Sequence, residues 1–200
     1  MQILRNRITI ATHNAGKLRE FAELLQPYIA KIISAGELGL PAPEETGTTF
    51  TENALLKAKM AAEASDSLSL ADDSGLCINA LNGQPGIFSA RWAHPTSETS
   101  IKRVLNELKN ADDRSAYFIC VLALYWPGGK YEIFEGRIDG TIAAAPRGTN
   151  GHGYDPIFIS KGYNVTFAEI SDAEKNGISH RGLAIQKLIE RFQSLQSVAQ

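Results

Sequence analysis

The stretch Leu68-Ser-Leu-Ala-Asp72-Asp73-Ser74-Gly75-Leu76 constrains the chain most, because a strand-forming apolar run stops on two adjacent carboxylates. Neighbouring anions repel, and burying either one requires a cation or hydrogen-bond donors. On extended backbone successive side chains point to opposite faces. One carboxylate is therefore sent toward a cleft, and the other must be neutralised by backbone N–H groups or a positive charge. This is how a metal ligand or a general base is presented. The same residues also spell a β-turn, opened by Asp-Asp and closed by Ser-Gly. We expect a strand, a turn at Asp72-Asp73, and a further strand from Leu76 to Leu81.

Upstream, Arg7 to Thr12 alternates as a strand, and His13 to Lys17 opens a helical pattern carried by Leu18, Phe21, Leu24 and Leu25. Asn14 is placed to cap that helix. A strand–turn–helix junction gathers backbone donors, the positive end of a helix dipole and the Lys17 ammonium, which together describe a phosphate cradle. It is not a Walker loop, since Ala11 stands at the first glycine position and Leu18 replaces the magnesium-binding hydroxyl. A plain helix start with an exposed lysine accounts for the same letters. Ile32 and Ile33 indicate a second strand, and Pro41 and Pro43 end regular structure before Glu44-Glu45-Thr46-Gly47. Thr49 and Glu52 form a capping box ahead of a helix whose small apolar face is Phe50, Ala54, Leu55, Ala58, Ala61 and Ala62.

Downstream, Asn82-Gly83 signals a hairpin, and Ile87 to Trp92 reads as extended. Thr96 or Ser97 caps a helix carrying Ile101, Val104, Leu105 and Leu108. Ser115 to Trp126 is long, aromatic and β-branched, and Pro127-Gly128-Gly129 turns it into a strand from Lys130 to Ile138. Asp139-Gly140 leads into a Pro- and Gly-rich connection, Ala145 to Pro156, that holds His152, Tyr154 and Asp155, a loop shaped for close approach. A short strand, Ile157 to Ile159, comes next. Ser171 and Glu174 read as a second capping box, with a stop at Asn176-Gly177. Ser179 then caps a terminal helix carrying Leu183, Leu188, Ile189, Phe192 and Leu195, whose first turn holds His180 and Arg181. Basic groups there oppose the helix dipole, which is easier to understand if an anion binds.

Strands interleaved with amphipathic helices give an α/β chain. Its 200 residues, 44% hydrophobic, are enough to bury one substantial core. A net charge of −2 gives no general attraction to nucleic acid polymers or to anionic membranes. A polyanionic partner must therefore be small, and a single nucleotide meets that limit. Cys77 and Cys120 are far apart and lack metal-ligand spacing, so they indicate neither a zinc site nor a disulfide framework. With no long apolar segment, the expected location is the cytoplasm.

Six motifs occur in order along the chain: Thr12-His-Asn-Ala-Gly-Lys17; Glu44-Glu45-Thr-Gly with Asn53 and Lys57; Ala71-Asp-Asp-Ser-Gly75; Gly83-x-Pro-Gly86 with Ser89-Ala-Arg91; Gly151-His-Gly-Tyr-Asp-Pro156; and Glu174-Lys175 with Ser179-His-Arg181. Together they resemble the inosine triphosphate pyrophosphatase family, specifically its bacterial members that act on noncanonical purine nucleoside triphosphates. The resemblance implies hydrolysis of dITP, ITP and XTP to the monophosphate and pyrophosphate with Mg²⁺. It also implies an elongated α/β fold: a long twisted mixed sheet flanked by helices, with two lobes and a central substrate cleft. The whole chain, 1–200, would be one such domain, acting as a homodimer.

Carried over by position, Thr12, His13, Asn14, Ala15, Gly16 and Lys17 look like the triphosphate-binding turn. Asp73 resembles the catalytic base and a metal ligand, with Glu45, alone or with Glu44, as the second ligand. Asp72 is a supporting anion, Lys57 a further charge near the phosphates, and Ser74 a substrate contact. His152, Gly153, Tyr154, Asp155, Lys175, His180 and Arg181 correspond to positions that enclose the nucleoside. The family often has phenylalanine where His152 stands, so base stacking here is expected to be weaker or more sensitive to pH. Two other readings compete. One is a nucleotide-binding regulatory module without turnover, against which Asp73, Glu45 and Lys17 argue together. The other is a septum-associated pyrophosphatase of modified pyrimidine nucleotides, for which Ser179-His180-Arg181 is the wrong signature.

Overall fold

The computed structural model describes residues 7–92 and 96–197. The side chains of Ala15, Leu24 and Leu195 lie outside what is described. Among the described residues, six strands and five α-helices run in the order β1 (Ile8–Ile10), α1 (Ala15–Leu25), β2 (Ile32–Ser34), α2 (Phe50–Ser65), β3 (Leu68–Ile78), α3 (Ser97–Glu107), β4 (Ser115–Tyr125), β5 (Tyr131–Ile142), β6 (Phe158–Ser160), α4 (Asp172–Ile178) and α5 (His180–Ser197). The strands form one mixed sheet in the order β2-β1-β3-β4-β5-β6. At one side β1 runs parallel to both β2 and β3, pairing Ile8 with Ile32 and with Leu68. At the other, β5 and β6 are antiparallel, with Gly140 opposite Ser160. The α/β expectation holds.

The expected turn at Asp72-Asp73 is replaced by uninterrupted strand. Leu68 to Ile78 is a single β-element, nearly all of it buried. The chain stays in the sheet because each carboxylate has a lysine partner of its own, so neither has to be returned to water. The strand expected to reach Leu81 ends at Ile78, where Asn79–Leu81 closes into a 3₁₀ turn and Asn82 and Gly83 take left-handed backbone, φ 53° and 82°. Asn82-Gly83 therefore does turn the chain, but the returning segment makes a single bridge, Cys77 to Pro85, in place of a ladder. Pro85 has no N–H to extend it.

Ile87 to Trp92 is not extended: Gly86–Arg91 is a 3₁₀ turn. It is held by Ser89, whose hydroxyl donates to Gly86 O at 2.6 Å and accepts from Leu76 N at 2.9 Å. The strand expected to end at Ile138 continues through Asp139-Gly140 to Ile142. There a β-carbon on Gly140 would collide with the Ile159 carbonyl, so glycine marks close pairing with β6 and not a break. The Thr49–Glu52 capping box forms in both directions, whereas at the second candidate only the Ser171 hydroxyl accepts, from Glu174 N. Helix α4 passes through Asn176-Gly177 to Ile178.

The chain divides into two compact units, the first comprising the described residues up to Asp73 with Val121–Phe134 and the chain from Ile185 onward, the second Ser74–Cys120 with Glu135–Ala184. In the first, Ile8, Ile10, Phe21, Leu25, Leu68, Leu70 and the alanine face of α2 are buried, and α2 lies against β1. Alanine at four successive contact positions lets the helix sit close to the strand. In the second, Leu76, Ile78, Val104, Leu108, Phe118, Ile157, Phe158 and Phe167 form one cluster. Both cysteines are buried free thiols. Among the described residues no helix is long and apolar enough to cross a membrane.

Candidate functional site

In the first unit, the turn after β1 is built by its own side chains. The Thr12 hydroxyl accepts from Asn14 N at 3.1 Å, and Asn14 caps α1 by accepting from Lys17 N at 3.0 Å. Capping an α-helix leaves other first-turn amides to acceptors from outside, and the dipole favours anions there. One turn further in, the Lys17 ammonium lies 2.7 Å from the buried Asp72 carboxylate. These residues line a cavity of about 310 Å³ whose other walls are Leu40–Pro43, Glu45, and Lys57, Met60, Ala61 and Ala64 of α2.

A second lysine organises the acidic groups. Lys57 Nζ lies 2.8 Å from Glu45 Oε1 and 3.1 Å from Asp73 Oδ1, so one ammonium bridges two carboxylates from a loop and a strand. Asn53 completes the network, accepting from Gly47 N at 2.9 Å and donating to Asp73 Oδ2 at 3.4 Å. A β-carbon at Gly47 would stand 2.6 Å from Asn53 Oδ1, so glycine there lets the Glu44-Glu45 loop lie directly on the start of α2. Burial raises the Asp73 pKa above the usual carboxylate range and Glu45 adds to the rise, while the Lys57 charge and the Lys57 and Asn53 hydrogen bonds pull the other way. For Lys57 burial works against the charged form, but Asp73, Glu45 and Asp72 outweigh it and leave its pKa raised. The lysine gains more than Asp73 does because it is shared among several anions. A carboxylate with an elevated pKa, held by two donors beside a cavity, is suited to taking a proton.

In the second unit, a tight loop and the α4–α5 junction bring together a different set. Asp155 Oδ2 accepts from His152 N and from Lys175 Nζ, both at 2.8 Å. Both ion-pair partners are buried. Gly151, at φ 71°, leaves room for that carboxylate, because a β-carbon would collide with it. The Tyr154 hydroxyl donates to Ser89 O at 2.9 Å. Gly153 and Tyr154 help line a cavity of about 180 Å³ with Ser89, Ala90, Thr96, Ser97 and Ser100. Ser179 caps α5 by accepting from Gly182 N at 3.0 Å. His180 stacks on Phe118, with ring centroids 4.7 Å apart and planes 11° from parallel.

The family model described as Ham1 family matches residues 8–191. The chain belongs to the Ham1 family. It is 50% identical over 182 residues to the dITP/XTP pyrophosphatase of Gluconobacter oxydans (strain 621H), covering 90% of this chain and 88% of that protein. It is also 50% identical to the dITP/XTP pyrophosphatase of Rhodospirillum centenum (strain ATCC 51521 / SW), covering 92% and 93%. The Staphylococcus aureus Ham1 protein superposes with a TM-score of 0.88 at 41% identity, covering 94% of this chain and 98% of that one.

In this Ham1 chain the expected phosphate and acidic residues do converge, although they come from four separate segments. Thr12, His13, Asn14, Lys17, Glu45, Lys57 and Asp72 line one cavity, and Asp73 joins them through Lys57. Glu44 is exposed and outside that lining, so of the adjacent pair it is Glu45 that turns inward. Ser74 is half-buried within β3. The exposed His152 contributes its backbone to Asp155, while Arg181 is buried. The donation from Asn53 to Asp73, and the packing of Phe118 under His180, had no signal in local pattern, since each joins residues at least 20 apart in the chain.

Proposed function

We propose that this chain hydrolyses deaminated purine nucleoside triphosphates, dITP and XTP and with them ITP, at the bond between the α- and β-phosphates. The products are the nucleoside monophosphate and pyrophosphate. The observation that carries the reading is the Lys57-bridged pair of Asp73 and Glu45 beside a cavity formed by a helix N-terminus and Lys17. The names of the Ham1 relatives support the substrate class.

Asp73 accepts the proton of the water that attacks the α-phosphorus, a role its raised pKa favours. Asn53 and Lys57 fix the orientation of its two oxygens. Lys17 and the first turn of α1 meet charge on the phosphates and on departing pyrophosphate. Asp72 holds Lys17 until that charge arrives. Among the described residues no three carboxylate, imidazole or thiol groups form a closed cage, but Asp73 and Glu45 already share one cation. Two carboxylates with room beside them suit Mg²⁺, which keeps most of its waters. Bound there, Mg²⁺ would screen the triphosphate and polarise its oxygens.

The base is assigned to the residues of the second unit. Donors at Lys175 to Arg181 would pair with a 6-oxo group and be left unpaired against adenine, at roughly 1–3 kcal/mol per contact. The reading includes a homodimer in the cytoplasm. A panel of dITP, XTP, ITP, GTP and ATP with Mg²⁺, monitored for pyrophosphate and repeated with Asp73→Asn, tests it. The folded variant should lose about 10²–10⁴ in kcat. Turnover of ATP as fast as ITP refutes the substrate, and release of orthophosphate refutes the bond.

A further inference from the structure

We propose that Gly136 is a positioning residue for substrate recognition: it seats the first turn of α5 directly on β5 and thereby fixes where His180 and Arg181 stand. The inference rests on the assignment of those two residues to the nucleotide. Gly136 has ordinary extended backbone within β5, which alanine adopts freely, so conformational freedom does not explain glycine here. Close approach does. A β-carbon at this position would fall on the His180 carbonyl oxygen, far inside contact distance, and would stand 2.6 Å from Ala184 N and 3.0 Å from Leu183 Cβ. Three of the first five residues of α5 therefore rest on the bare backbone of one strand residue.

The same turn is seated from a second side. A β-carbon on Gly182 would collide with the Asn176 carbonyl oxygen and lie 3.1 Å from Asn176 C and 3.4 Å from Ser179 Oγ. The end of α4 thus touches the start of α5 without an intervening side chain. With Phe118 stacked on the His180 ring, the turn is bounded by β5, by α4 and by an aromatic face. Almost none of this involves a side chain that could touch a nucleotide. Its effect is to remove slack from the two basic residues beside it. A methyl group at 136 forces the turn away by on the order of 1 Å, a displacement that costs as much as 10²-fold where geometry matters.

The test compares the parent with Gly136→Ala, Gly182→Ala and, as a control for general loosening of β5, Ile138→Ala. Steady-state kinetics on dITP and XTP give KM and kcat separately. Proton–carbon NMR of the histidine ring, assigned by the signal lost in His180→Asn, reports the stack on Phe118 without any need for turnover. We expect KM to rise tenfold or more in Gly136→Ala and Gly182→Ala, with kcat within about threefold of the parent. The His180 ring proton should start upfield and move toward its solvent-exposed position. Ile138→Ala should leave both unchanged. An unchanged KM in a folded Gly136→Ala, a fall in kcat alone, or an equal KM rise in Ile138→Ala overturns the proposal. If Gly136→Ala does not fold, Gly182→Ala decides by the same criteria. If neither folds, a His180 signal in the parent without upfield displacement overturns it. A parent that turns over none of these nucleotides refutes the substrate assignment instead, and the NMR comparison still tests the seating.

Discussion

Replacing Lys57 by methionine removes the positive charge shared by Glu45 and Asp73 while keeping most of the side chain's volume. The lysine side chain is 14% exposed, Asp73 10% and Glu45 24%, so water only partly compensates. At the 3.1 Å separation of Lys57 and Asp73, the attraction is about 5 kcal/mol at an effective dielectric of about 20, before the cost of burying both groups. Breaking a buried pair by deleting one partner typically costs about 3–5 kcal/mol. For a chain of this length that lowers Tm by about 6–20 °C. The loss must also depend on pH. Burial already holds the Asp73 pKa up, and without Lys57 it rises further. A carboxyl whose folded pKa exceeds its unfolded value costs nothing below about pH 4, and the cost grows until pH passes the folded value. Thermal melts in chelator should therefore show a gap between parent and Lys57→Met that is widest near about pH 8 and narrows toward about pH 5. Added Mg²⁺ should raise the variant's Tm more than the parent's, because the ion replaces the missing charge. A gap that stays constant with pH, or one below about 1 kcal/mol, refutes the bridging role.

The second unit offers two further tests. Asp155→Asn leaves the Lys175 ammonium, 10% exposed, without its carboxylate, and should cost about 3–5 kcal/mol in chemical denaturation. Asp155→Asn with Lys175→Met should recover a large part of it, and a double variant no more stable than the single would show that the pair is not the source. At the loop, His152→Phe should lower the KM for ITP, because a phenyl ring offers more apolar area to a stacked purine than imidazole does. An unchanged KM would remove this side chain from base binding.

Local chemistry made much of this fold legible. Asn14, Thr49, Thr96 and Ser179 all cap the helices they precede, because a capping residue acts on amides two or three positions away. Asp72-Asp73 misled for the complementary reason. Two carboxylates in sequence look like a turn unless their partners are known, and Lys17 and Lys57 are 55 and 16 residues distant. Gly140 misled in the same manner: what appears locally as a strand breaker is needed for contact with β6. The Ile87 to Trp92 segment is apolar and aromatic enough for a strand, yet Ser89 spends its hydroxyl on Gly86 and Leu76 and winds it into a 3₁₀ turn. Motif order selected the candidates, but which carboxylate meets which lysine is a tertiary fact.

Those pairings bear on the proposed phosphate site. Both lysines that line the cavity proposed for the phosphates are already paired, Lys17 with Asp72 at 2.7 Å and Lys57 with Glu45 and Asp73. A triphosphate arriving at Lys17 must draw it from a carboxylate that carries at most one charge and is itself buried. The exchange favours the ligand, since phosphate oxygens bring several charges to the same ammonium, and Asp72 raises the barrier only for weaker anions. Self-pairing thus acts as a threshold: it holds both cations in place and discriminates against weaker anions. On this argument Asp72→Asn should admit inorganic phosphate as an inhibitor more readily than the parent does, while the affinity for triphosphate changes less.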